Sequence, residues 1–110
     1  MPNAQEVRDL LEYASQLPWA PSRSAQVAQA AMWADALEGE TDLKIDANLE
    51  LTMSYQQGNE EWKALAPLST LLNMFEKNPM DFDAEQIEEL AWLYKGTVSA
   101  AGRNPAVSRE

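Results

Sequence analysis

The sequence predicts an all-α fold: a single compact domain of four or five short helices, arranged as a bundle or an orthogonal array. Three observations carry this. Apolar residues recur at helical spacing in successive segments. Capping residues open several of those segments, and proline or glycine closes them. One stretch alternates like a strand, Leu49-Glu50-Leu51-Thr52-Met53, but no second strand is available to pair with it. At 110 residues and 45% hydrophobic content, the chain is long and apolar enough for one domain with a real core. Residues 1–102 are read as that domain. RNPAVSRE, residues 103–110, is read as a flexible tail with little to bury.

The first helix is expected from Ala4 to Leu17. Asn3 caps it, and Val7, Leu10, Leu11, Ala14 and Leu17 form one apolar stripe. Pro18 ends it, and Pro21 keeps the following residues irregular. Trp19 sits between those prolines, where it either folds back to close the core, the commoner case, or stands out as a contact anchor. The second helix is expected from Ser24, as N-cap, to Gly39, as left-handed stop. Its alanines favour helix and permit close approach, with Val27, Ala31 and Leu37 inward and Trp33 near the boundary. On these grounds it is the expected spine of the domain.

The third helix is expected to start at an Asp42 N-cap, to bury Ile45, Leu49 and Met53, and to end at Gly58. Trp62 and Leu65 suggest a short turn. Pro67 then suits the first position of a helix running through Leu68, Leu71, Leu72 and Phe75 to Asn78-Pro79. In the last helix, Asp83 followed three residues later by Gln86 has the form of a capping box. Ile87, Leu90, Ala91 and Tyr94 share one face, widened by Trp92 and Leu93. Either Gly96 ends this helix or Val98 and Ala100 carry it to Gly102. Of the four tryptophans, two or three are expected in the core and at least one partly exposed.

The net charge of −10 has a local origin. One acidic run holds Asp35, Glu38, Glu40, Asp42, Asp46 and Glu50 against Lys44 alone. A second holds Glu76, Asp81, Asp83, Glu85, Glu88 and Glu89 against Lys77 alone. Elsewhere acids and bases balance. Such a field repels phosphate, so direct binding to duplex DNA is not expected, whereas a basic protein surface is attracted. The bland reading is that both runs are solvated surface.

The chain has no cysteine and no histidine, which removes disulfides, thiolate and imidazole catalysis, and the usual zinc ligands. The start lacks the charge pattern of a signal peptide, and no apolar run approaches a bilayer span; a cytoplasmic protein without membrane contact is expected. Asp81-Phe82-Asp83-Ala84-Glu85 begins like a calcium loop, but Gln86 and Trp92 stand where that loop needs glycine and glutamate. No serine has a histidine partner, and no glycine-rich phosphate loop is present. No catalytic residue, metal ligand or cofactor is therefore expected, and the chain is read as a non-enzyme. What remains is protein binding, for which Asp81, Asp83, Glu85, Glu88, Glu89, Trp92 and Trp33 are the candidate residues. Tryptophan is enriched at interface hot spots, and surrounding acids suit a partner with basic rims.

The order of elements resembles that of phage replicative-helicase loaders. The resemblance rests on Trp33, Ala34, Leu37, Ala47, Tyr55 and Pro67, between about Val7 and Phe75. It implies a small helical adaptor that binds a hexameric replicative helicase and helps deliver it to single-stranded DNA or an initiator. In that family helicase contacts are associated with a flexible C-terminal part, whereas Asp83–Tyr94 here reads as an ordered helix, so no individual contact residue is transferred. The leading expectation is thus a helicase loader or inhibitor. Two others stand beside it: an acidic DNA mimic acting in host takeover or anti-defence, and a virion or structural protein that self-associates.

Overall fold

A computed structural model describes residues 3–101, with side chains up to Thr97. It is all-α: α1 (Ala4–Ser15), α2 (Pro21–Asp35), α3 (Thr41–Gln57), α4 (Leu65–Lys77) and α5 (Ala84–Ala101), with single 3-10 turns at Glu61–Ala64 and Pro79–Asp81. The expected tail at 103–110 lies outside the described residues.

The spine is α3, not α2. It contacts every other helix, and two hydrophobic clusters meet on its opposite sides. Leu43, Ala47 and Leu51 face Val7, Ala14, Val27, Ala30 and Ala34 of α1 and α2. Ile45 and Leu49 face Leu68, Leu71, Leu90 and Leu93 of α4 and α5. This explains the strand-like alternation: at 100° per residue, Leu49 and Leu51 point to opposite flanks of a helix buried on both. The alanines of α2 let it lie close against α1 and α3 without supplying a centre.

Several boundaries differ from expectation. α1 ends at Ser15, two residues early, and its last carbonyl and one in the linker beyond it are satisfied by a side chain from the next helix. The Arg23 Nη1 donates to Ser15 O (3.0 Å) and Leu17 O (2.9 Å). Pro21 does not keep the chain irregular; it begins α2, where its fixed φ and missing N–H suit the first helical position. The N-cap is therefore Ala20, with no side-chain cap, and Ser24 is buried inside the first turn. Its hydroxyl lies beside the buried Glu60 carboxyl, whose pKa is held below the ordinary value first by the Lys63 hydrogen bond at 2.8 Å, with Ser24 also contributing. α2 ends at Asp35, so Gly39, at φ 74°, serves the turn into α3 rather than the helix stop. α3 begins at Thr41 with Glu40 as an N-cap that makes no side-chain bond, and Asp42 is drawn away to α5. Pro67 is buried in the first turn of α4 but not at its first position, because the turn at Glu61–Ala64 runs directly into the helix at Leu65.

Three expectations hold. Asn3 caps α1, and the structure adds a reciprocal bond from Glu6 that makes it a capping box. Asp83 and Gln86 form another on α5, with Gln86 N–H donating to Asp83 Oδ1 (2.8 Å) and Asp83 N–H to Gln86 Oε1 (2.9 Å). Gly58 closes α3, its N–H donating to Ser54 O at 2.9 Å. α5 runs past Gly96 to Ala101.

None of the four tryptophans is a core residue. Trp33 is half-buried, and Trp19, Trp62 and Trp92 are exposed. Trp19 does not close the core as favoured; it stays exposed and stacks on Arg23, whose guanidinium carbon lies 3.7 Å from the indole centroid. Close helix packing leaves room for alanine, valine and leucine, and the bulky rings are displaced to the edges. The inner face of α5 also differs from expectation. Gln86, Leu90, Leu93 and Thr97 are buried, while Ile87, Ala91 and Tyr94 stay exposed.

Candidate functional site

The site is built on the pairing of α3 with α5. Two polar struts fix it, with leucines between them. At one end Gln86 Nε2 donates to Asp42 Oδ1 and Asp46 Oδ1, 2.9 Å each. At the other, Gln56 Nε2 donates to Leu93 O (2.9 Å) and to the Thr97 hydroxyl. Each strut satisfies amide groups that burial would otherwise penalise by about 1–3 kcal/mol. Together they fix the rotation of α5, and hence which of its side chains look outward.

Outward, the flank of α5 beside α3 carries Glu85, Glu88, Glu89 and Trp92. With Met53 of α3 and Leu93 they line an open hollow of about 400 Å³. Trp92 is 67% exposed, a large apolar area for a side chain on an ordered helix. Glu89 also walls an adjoining hollow of about 330 Å³, shared with Leu11 and Glu12 of α1 and Asp46, Leu49 and Glu50 of α3. The two hollows adjoin at Glu89, and together, as the Trp92 groove, their linings hold aliphatic side chains, carboxylates and the Trp92 indole.

The two acidic runs of the sequence therefore meet. Asp42, Asp46 and Glu50, spaced i,i+4 on α3, lie against Glu85 and Glu89 on α5. The electrostatic consequence is visible in two carboxyls. Glu89 is pushed up from its ordinary pKa, first by burial and then by repulsion from Glu50, Asp46 and Glu85. Asp46 is also pushed up, first by burial and then by Asp42 and Asp83; the Gln86 hydrogen bond, and more weakly Arg8, oppose this. One cation is already seated at the edge. Arg23 Nη2 bonds Glu50 Oε1 at 2.7 Å, and its guanidinium stacks on the Trp19 ring. It shows how a guanidinium is held beside this groove: one carboxylate, backbone carbonyls and an indole face.

The other candidate residues fall elsewhere. Asp83 is committed to the α5 cap. Asp81 is exposed in the preceding turn and lines neither hollow. Trp33 packs against the α1–α2–α3 cluster and lines neither hollow. Residues not singled out from sequence as a site are Glu12, Asp46, Glu50 and Met53. The i,i+4 spacing of the α3 acids was the signal that could have found Asp46 and Glu50; nothing local marks Glu12 or Met53. Among the described residues, no group of three or more acidic side chains is placed to hold a metal ion, and no helix is long and apolar enough to cross a membrane. In comparisons with known protein families, curated proteins and solved structures, none matches this chain.

Proposed function

We propose that this chain is a non-enzymatic adaptor that binds a larger protein by taking a basic segment of it into the Trp92 groove. The observation that supports this most is Trp92 itself: an exposed indole on a rigid helix, inside a hollow whose remaining charged side chains are all carboxylates. The Lys or Arg side chains of a partner would relieve the repulsion among Glu85, Glu89, Asp46 and Glu50. Its apolar side chains would cover Trp92, Met53 and Leu93. Cation–π contact with the indole adds about 0.5–2 kcal/mol, depending on desolvation. A hexameric replicative helicase is the first partner to test, on the sequence resemblance; whether binding loads or inhibits it follows from which helicase surface is taken.

The experiment is affinity capture from lysate of the native cell with the parent chain, Trp92→Ala, and the triple reversal of Glu85, Glu88 and Glu89 to lysine. A specific partner is retained at moderate salt by the parent and lost by both variants. Capture that is indifferent to Trp92→Ala, falls steeply with salt and is competed by DNA supports the DNA-mimic reading instead. Capture unchanged by the triple reversal removes this groove from the account.

A further inference from the structure

We propose that the apolar groove between α4 and α5 is an interface between two copies of this chain, paired antiparallel through α5 about a two-fold axis at Ala91. Leu72 and Phe75 of α4 and Ile87, Leu90, Ala91 and Tyr94 of α5 line a hollow of about 270 Å³. Leu72, Ile87 and Tyr94 are 37%, 39% and 49% exposed, so the apolar surface is contiguous and open to water. It opens on a different side of α5 from the Trp92 groove, since Trp92 is about 100° around the helix from Ala91, and Glu88 lies between the two.

The pattern on α5 is self-complementary, which is what a two-fold interface requires. Ala91, exposed and small, sits at the centre and allows two helices to approach to about 8–10 Å. Larger apolar residues flank it on either side, Ile87 towards the N-terminus and Tyr94 towards the C-terminus. On the other side of Ala91, towards Trp92, lie an acid, Glu88, in the N-terminal half and a base, Lys95, in the C-terminal half. Antiparallel pairing about Ala91 sets Ile87 beside the partner's Tyr94 and Glu88 beside the partner's Lys95, each within one residue of strict symmetry. Opposite charges thus meet twice, in a chain whose net charge would otherwise keep copies apart. Parallel pairing would set Glu88 against the partner's Ile87 and Lys95 against the partner's Tyr94, so only the antiparallel arrangement brings opposite charges together.

Sedimentation equilibrium of the full chain, with no other protein present, tests this from low micromolar to near-millimolar concentration. The parent shifts from the mass of one chain to that of two. Ala91→Glu, at an exposed helical position that leaves the fold intact by circular dichroism, stays at the mass of one chain throughout. Glu88→Lys alone and Lys95→Glu alone each weaken the dimer about tenfold, because each sets like charges across both symmetric pairs, and the double exchange restores it. A parent chain that remains monomeric at every concentration leaves the groove to another occupant and overturns the proposal. So does a dimer indifferent to Ala91→Glu, or single reversals that the double exchange does not rescue. Because no partner protein takes part, failure here leaves the Trp92 reading untouched.

Discussion

Arg23 reaches from the first turn of α2 to Glu50 in the third turn of α3, an N–O distance of 2.7 Å, with its side chain only 8% exposed. The same guanidinium caps the end of α1 and stacks on Trp19. One side chain therefore ties three helices at the point where the linker Leu17–Ala20 crosses them. Arg23→Ala leaves the Ser15 and Leu17 carbonyls without their donor and Glu50 without its counter-charge, in a region already rich in carboxylates. A loss of about 3 kcal/mol is expected in urea unfolding. Glu50→Gln, which keeps an acceptor at the same place, loses about 1 kcal/mol.

Gln86 is the second such tie, and its chemistry is tunable by one atom. Gln86→Glu preserves the capping-box geometry, since glutamate is equally suited to that position. It replaces the donor held between Asp42 and Asp46 with a third carboxylate. At neutral pH the variant should lose about 2 kcal/mol relative to the parent. The loss should shrink as pH falls into the carboxylate range and the new group protonates. Thermal melts of both chains from pH 7 down to about pH 4 check this; equal stability at neutral pH contradicts the strut.

Glu89 gives a pH prediction of opposite sense. Its pKa is raised in the folded state, so the folded chain holds this proton to higher pH than the unfolded chain does. Its contribution to stability is therefore greatest below the ordinary carboxylate value and is lost as pH rises through the raised one. Glu89→Gln should melt about 2 °C above the parent at pH 7, with the gain gone near pH 4. A parent that is the more stable of the two at pH 7 would show that repulsion in the groove is not the dominant effect there.

The fold class was legible because helix signals agree along the chain: apolar spacing, an N-cap at Asn3, a capping box at Asp83, and a glycine stop at Gly58. The hierarchy among helices was less so. Alanine-rich α2 has the strongest local helix signal, yet α3 is central, and its two-sided burial looks in sequence like weak amphipathicity. Polar residues in buried places were the main obstacle. Nothing local announces that Arg23, Gln86 and Thr97 are buried against the distant partners Glu50, Asp46 and Gln56; Gln86 shows in sequence only its capping role. The acidic runs were plain in sequence, but their convergence across α3 and α5 depends on that same long-range hydrogen bonding.

Trp92→Ala should separate binding from stability. The ring is mostly in water, so its removal is expected to change the unfolding free energy by no more than about 0.5 kcal/mol. As an interface anchor, its removal should weaken partner binding by about thirtyfold, or 2 kcal/mol. A large stability loss instead would mark the indole as structural.

Binding of a basic segment should also release protons. Glu89 and Asp46 in the free chain hold their protons to higher pH than ordinary carboxyls do, because their pKa values are raised. A cation between them favours the ionised forms, so affinity should rise with pH through the raised values and level off above them. Calorimetry in buffers of different ionisation enthalpy measures the released protons directly.

The most direct test of the Trp92 groove is photo-crosslinking in the native cell, with a benzophenone amino acid replacing Trp92. The expected product is one dominant adduct, joined to a lysine- or arginine-rich segment of a single larger protein, and diminished by the Glu85, Glu88 and Glu89 reversal. An adduct pattern no different from that of the same probe at Gln16, an exposed position at the end of α1, would contradict the assignment of this groove as the binding surface.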